Sequence, residues 1–192
     1  MSRPVDASRI PELQSVVTLA LEEARRRGAT QAEADASLQR GLNATVRPGE
    51  VETVEYQRDR GVGITVYFGT RKGSSSTADL APAAIRDTVE KACSIARYTA
   101  EDDCAGLADP AQLATEFPDL ELDFDWPIEP DQAVVLAREC EAAGRDVDPR
   151  IENSEGATVS TSRGVRVYGN THGFLAGQSS SSHTLSCVLI AQ

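Results

Sequence analysis

Histidine is nearly absent from this chain, and its scarcity excludes more chemistry than any abundance does. His172 and His183 are the only two in 192 residues. HExxH and every other close histidine pair are missing, so a zinc site built from this chain alone lacks its usual ligands. Eleven positions apart on strand-rich sequence, the two could meet across a hairpin, with paired surface histidines rather than a metal site as the expected outcome. No apolar run approaches the roughly 20 residues that cross a bilayer. The first residues, MSRPVDASRIPELQ, hold no apolar stretch of the signal-peptide kind. Both absences point to the cytoplasm and away from a membrane partner. CxxC is missing as well. The four cysteines (Cys93, Cys104, Cys140 and Cys187) lie far apart, and Cys93 and Cys140 fall on apolar helix faces. A reduced, structural role is expected for them.

Lysine and arginine are absent from residues 99–129, where ten acidic residues gather (Glu101, Asp102, Asp103, Asp109, Glu116, Asp119, Glu121, Asp123, Asp125 and Glu129). That segment accounts for nearly all of the net charge of −11. The chain therefore lacks the concentrated basic footprint that nucleic-acid binding needs. Its alternating acids, from Asp119 to Asp125, have neither the sharp-turn glycine nor the closing bidentate glutamate of a calcium loop. Leu120, Leu122 and Phe124 between them predict an extended segment laying apolar residues on the core, with the acids as a solvated face.

Apolar periodicity predicts three helices. The first covers about 11–27, with Pro11 in its first turn, Arg25, Arg26 and Arg27 complementing the dipole, and Gly28 as the stop. The second starts near Pro82 and buries Ile85, Val89, Ala92, Cys93 and Ala96. The third starts at Pro130, turns Ala133, Leu136, Ala137, Cys140 and Ala143 inward, and ends at Gly144. Between the first two, residues 33–39 alternate cleanly. Gly41 separates them from a short strand at 43–46, Pro48-Gly49 makes a turn, and strands at 51–57 and 61–68 follow. A strand-rich block occupies 151–191. These elements predict an α+β fold, an antiparallel-rich sheet with helices packed on one face. Arg60-Gly61-Val62 through Tyr67, echoed by Arg163-Gly164-Val165 through Tyr168, raises two similar α+β units. The expected division is an N-terminal unit at 1–110, an acidic proline-containing connector at 111–129, and a second helix-plus-strand unit at 130–192.

The stretch from Arg60 to Leu80 is the most informative. Val62, Ile64, Val66 and Phe68 share one face of a strand, and a turn at Gly69-Thr70 leads into Arg71-Lys72-Gly73-Ser74-Ser75-Ser76-Thr77. A small-residue loop flanked by basic residues invites comparison with a phosphate cradle. Neither GxxxxGK[ST] nor GxGxxG at a strand-to-helix turn is there, which leaves a hairpin with a small-residue return strand. The GxSxG elbow of a serine nucleophile is also missing. Serine-rich strands leave backbone groups accessible, which suits a peptide added as an extra strand. The candidate peptide-binding residues are Arg71, Lys72, Gly73, Ser74, Ser75, Ser76 and His172; no catalytic or metal-ligating residue is assigned.

Short segments along nearly the whole length carry a family resemblance. They include Gly49-Glu50-Val51-Glu52, Gly63-Ile64-Thr65-Val66-Tyr67, Arg71-Lys72-Gly73-Ser74 through Asp79-Leu80, Ile95-Ala96-Arg97-Tyr98-Thr99, Cys104-Ala105-Gly106, Pro118-Asp119-Leu120, Asn153-Ser154-Glu155-Gly156, and Gly169-Asn170 with His172-Gly173. In order and spacing the chain resembles the N-terminal region of the PmbA (TldE) branch of the TldD/PmbA metallopeptidase family. The resemblance implies a fragment of a cytoplasmic peptidase subunit that pairs with a TldD-type partner. That partner would carry the zinc, leaving no cofactor in this chain. The heterodimer would act on unfolded or flexible peptides, with this region in a structural and substrate-guiding role and inactive alone. A competing implication is a non-enzymatic regulatory module, a DNA gyrase modulator or an antitoxin-binding protein.

Overall fold

Leucine, valine and alanine spaced three and four apart form the first helix, α1 (Ile10–Arg26), which buries Leu13, Val16, Val17, Ala20, Leu21 and Ala24. The structure, a computed structural model, describes residues 5–192. Gly28, with φ of +87°, ends the helix in the left-handed region that glycine tolerates. The chain then forms β1 (Gln31–Arg47), β2 (Glu50–Phe68) and β3 (Arg71–Thr77). Next come α2 (Pro82–Tyr98), the connector, α3 (Pro130–Arg145), β4 (Ile151–Asn170) and β5 (Leu175–Ala191). The strands make one antiparallel sheet in the order β3-β2-β1-β4-β5. The fold is α+β, with the three helices packed on the sheet.

Contacts divide the chain into two units. One comprises the chain up to Leu38, Asp59–Glu121 and Gly164–Ser179; the other comprises Gln39–Arg58, Leu122–Arg163 and Ser180–Gln192. In the first, α1 and α2 cover Ala32, Ala34, Ala36, Leu38, Val62, Ile64, Val66, Val165 and Val167. Helix α2 buries Ile85, Val89, Ala92, Cys93 and Ala96, the stripe expected from periodicity. In the second, α3 packs against Leu42, Ala44, Val46, Ala157 and Val159.

Three expectations about local structure are corrected. Gly41 does not divide a strand, because β1 runs through it. A Cβ at Gly41 would stand 2.9 Å from the Thr161 carbonyl oxygen, so the glycine permits close approach of a neighbouring strand rather than a turn. Residues 58–60 likewise belong to one long β2, which is exposed on both faces from Glu50 to Arg60. Helix α3 is rotated from its expected setting. Ala143 is exposed, while Val134 and Glu141 are buried with Ala133 and Ala137. A charged residue inside was invisible to apolar periodicity, and it is the turn at Gly49 that receives it. Gly49 has φ of +76°, and its N–H donates to Glu141 Oε2 at 2.7 Å.

Candidate functional site

Strand alternation sorts each strand of the first unit into a face under the helices and a face away from them. On β1, the alanines at 32, 34 and 36 go under and leave Glu33 and Asp35 on the other side. On β2, Val62, Ile64 and Val66 go under and leave Gly63, Thr65 and Tyr67. The antiparallel register sets Gly63 opposite Ser76, Ile64 opposite Ser75 and Thr65 opposite Ser74. Glu33 and Asp35, with residues 63–65 of β2 and 74–76 of β3, line a shallow open groove of about 320 Å³. Its floor exists because Gly63 has no side chain; Asp35 Oδ1 lies 3.1 Å from where a Cβ would stand.

The groove is mostly polar, with Ile64 its one aliphatic lining residue. Thr65 and Ser74 share a hydroxyl hydrogen bond of 2.9 Å. Glu33 accepts from two tyrosines, Tyr67 Oη at 2.9 Å and Tyr168 Oη at 2.8 Å. The two Arg-Gly-Val…Tyr segments of the sequence thus end on one carboxylate. Burial pushes the Tyr67 phenol up to about 12, and its hydrogen bond to the Glu33 carboxylate adds to this. Tyr168 is raised by the same two causes in the same order. Asp35 is in ion-pair range of Arg166 at 3.4 Å, both side chains well exposed, an arrangement that contributes little to stability.

The expected peptide-binding residues do not all meet here. Ser74, Ser75 and Ser76 line the groove. Arg71 is at the start of β3, where it reaches Glu101 at 3.1 Å and the Arg97 carbonyl, and Lys72 is exposed opposite Tyr67. Gly73 turns to the helix side, where a Cβ would overlap the Ala92 carbonyl and the Ala96 nitrogen. Its role is to seat β3 on α2. His172 belongs to the turn after β4, and β1 and β2 lie between β4 and β3. Its ring is held by Gln31 at 3.3 Å and the Ala108 carbonyl at 3.1 Å. Sequence reasoning missed Glu33, Asp35, Tyr67 and Tyr168; the carboxylates alternating with alanines and the repeated Tyr were the available signal.

The two histidines do not meet, because His172 occupies the β4–β5 turn while His183 lies along β5. His183 bonds Thr161 Oγ1 at 2.7 Å and the Phe124 carbonyl at 2.9 Å. It thereby pins the connector, where Asp119, Glu121 and Asp125 are exposed as expected but the apolar residues between them are not buried. Leu120, Leu122 and Phe124 are 61%, 42% and 66% exposed. Asp123 instead makes a bidentate pair with Arg163, and Asp125 reaches Arg40 at 3.3 Å. The Arg163–Asp123 pair is bidentate, the geometry that makes guanidinium–carboxylate bonds strong and directional. The arginine triplet also acts internally, Arg26 and Arg27 on Glu23 and Arg25 on the Thr171 carbonyl. Among the described residues, no three His, Cys, Asp or Glu side chains come together to hold a metal ion. The residues described therefore do not fit zinc. No helix among them is long and apolar enough to cross a membrane.

Two family profiles match the chain: PmbA/TldA metallopeptidase domain 1 over residues 32–96, and the PmbA/TldA metallopeptidase central domain over residues 124–192. The chain is 45% identical to the metalloprotease PmbA of Escherichia coli O157:H7 over 94% of its own length and 40% of that protein's. It is 45% identical to a PmbA homolog of Haemophilus influenzae over 93% and 40%. It thus spans about two fifths of these relatives, corresponding to their N-terminal part. Among solved structures, a candidate modulator of DNA gyrase from Bacteroides thetaiotaomicron superposes with a TM-score of 0.83 at 19% identity, covering 96% of this chain and 42% of that one. TldE from Thermococcus kodakarensis gives 0.72 at 16%, covering 92% and 39%. These two likenesses concern the fold. The profiles and the sequence identities place the chain by descent: it belongs to the PmbA/TldD metallopeptidase family and carries that family's first domain and central-domain sequence.

Proposed function

We propose that this chain is the N-terminal part of a PmbA/TldE-type subunit of a cytoplasmic, metal-dependent peptidase, in which it guides substrate rather than cleaving it. The observation that carries this reading is the groove along β3. A polar, shallow channel runs beside a strand that ends the sheet, built from serines and a glycine too small to obstruct an extended backbone. An unfolded peptide laid there would pair main chain to main chain, so affinity would depend little on its sequence. Ser74, Ser75 and Ser76 would contact it, with Arg71 and Lys72 at one end of the channel. Gly73 would serve by seating the strand, and His172 by ordering the neighbouring turn.

Zinc and the hydrolytic step belong, in this reading, to a TldD-type partner. The purified chain is then expected to show no peptidase turnover. Titrating the isotopically labelled chain with an extended, unstructured peptide tests the groove. Shift changes concentrated on residues 72–77 support it, and changes elsewhere with none on β3 refute it. A second reading, a regulatory module acting on gyrase, is favoured by the description of one structural neighbour as a candidate modulator of DNA gyrase. Affinity capture separates the two: recovery of a TldD-type zinc subunit supports the first, and recovery of gyrase without it supports the second.

A further inference from the structure

The second unit holds a pair of thiols that the chain brings together from distant positions. Gly144, in the last turn of α3, lies directly on β5, where a Cβ would stand 2.5 Å from Leu189 Cδ1. One helical turn before Gly144 on the same face is Cys140, and two residues before Leu189 on the same face of the strand is Cys187. Both cysteines pack, half-buried, against the cluster of Leu42, Ala44, Val46, Ala133, Ala137 and Val159. Cys140 lies near enough to Cys187 to help raise its thiol.

We propose that Cys140 and Cys187 form a reversible dithiol–disulfide pair that staples α3 to β5. The oxidant is a low-molecular-weight disulfide, RSSR. The Cys140 thiolate attacks one sulfur, a Cys140–SR bond forms, and RS⁻ leaves to take up a proton. The Cys187 thiolate then attacks the Cys140 sulfur, the Cys140–Cys187 bond forms, and the second RS⁻ leaves and is protonated. The protein loses two hydrogen atoms and two RSH are released. Burial, with Cys140 and the buried Glu141 carboxylate adding to it, pushes the Cys187 thiol up. Cys187 is therefore a poor first nucleophile toward a molecule in solution. Presentation of the Cys140 mixed disulfide within contact distance offsets its low thiolate fraction in the second step. Cys93, 2% exposed on α2 in the other unit's core, and Cys104, exposed shortly after α2, lie outside the pair.

The test uses the 192-residue chain with Cys104→Ser, which removes the exposed competing thiol. The native protein is incubated with oxidised glutathione, then alkylated, digested with trypsin and mapped by mass. The expected product has lost two hydrogens, joins tryptic peptide 139–145 to 167–192, and returns to the dithiol with dithiothreitol. Its thermal midpoint rises by roughly 5 °C or more, because the cross-link closes a long loop in the unfolded chain. In the added variant Cys140→Ser, the mass loss and the midpoint rise both disappear, with circular dichroism unchanged. Alkylation of both thiols after oxidation would overturn the proposal. Separate glutathione adducts on Cys140 and Cys187, a cross-link to Cys93, or loss of two hydrogens in Cys140→Ser would each overturn it as well.

Discussion

Replacing Glu23 by glutamine should destabilise the protein near neutrality and lose most of its effect in acid. Glu23 is 5% exposed on the inner side of α1. Its carboxylate is gripped by Arg26, through Nε at 2.9 Å and Nη2 at 2.6 Å, and by Arg27 Nε. Arg27 also reaches Glu90 on α2 at 3.0 Å, so the cluster ties the two helices together. The hydrogen bonds from Arg26 pull the Glu23 carboxyl down from 4.5 to about 2; burial opposes them and Arg27 assists. At 1.36 kcal/mol for each unit of pKa, that displacement corresponds to about 3 kcal/mol favouring the folded, ionised form. Arg26 is 67% exposed and its share is screened by solvent, so about 2 kcal/mol is the expected cost of Glu23→Gln at pH 7.

The sign follows from linkage. A carboxylate whose folded pKa lies below its unfolded value stabilises fully above the unfolded value, and that contribution drains away as pH falls through the folded one. The window here runs from about 4.5 down to about 2. Urea unfolding of both proteins, followed by far-ultraviolet circular dichroism at pH 7, 5, 4 and 3, measures the gap. It should hold from pH 7 to 5 and fall to roughly half or less by pH 3. A gap that stays constant to pH 3, or widens, would refute the argument. It would mean that glutamine is disfavoured for packing or hydrogen-bond geometry rather than for its missing charge.

Other expectations rest on single packing or hydrogen-bond facts. Gly73→Ala puts a methyl into the Ala92 and Ala96 backbone and should cost about 2–3 kcal/mol in urea midpoint experiments, because backbone cannot yield as a side chain can. An unchanged midpoint would show that β3 is free to lift from α2. Leu13→Ala, at a fully buried position of α1, should cost about 3 kcal/mol by the same assay. Glu33→Gln should lower the Tyr67 phenol from about 12 while leaving it above its ordinary value, since burial is the larger cause. Ultraviolet titration of tyrosinate reads this directly, and a titration identical to that of the parent protein would contradict the assigned contact.

The helices and most of the first unit's core were legible because they depend on local period. Leucine and valine three and four apart can bury only one helix face, and alanine alternating with Glu33 and Asp35 can bury only one strand face. The β2–β3 hairpin was legible for the same reason, with a glycine turn between an apolar strand and a run of serines. What local pattern could not carry is the cross-strand neighbour. Gly41 read as a break because nothing in its own segment announces the Thr161 carbonyl beside it. The connector's apolar residues read as buried because Arg163 and Arg40, which take its acids, are remote in sequence. Glu141 had no place on the expected apolar stripe of the third helix, and it is the Gly49 N–H, arriving from a distant turn, that receives it. The same holds for the groove and for the two thiols. Glu33, Thr65 and Ser75 become one surface, and Cys140 and Cys187 one pair, only when strand order and register set them side by side. Sequence by itself determined which residues must hide from water; tertiary structure alone decided which polar groups they bring together, because those contacts join residues whose spacing along the chain carries no period.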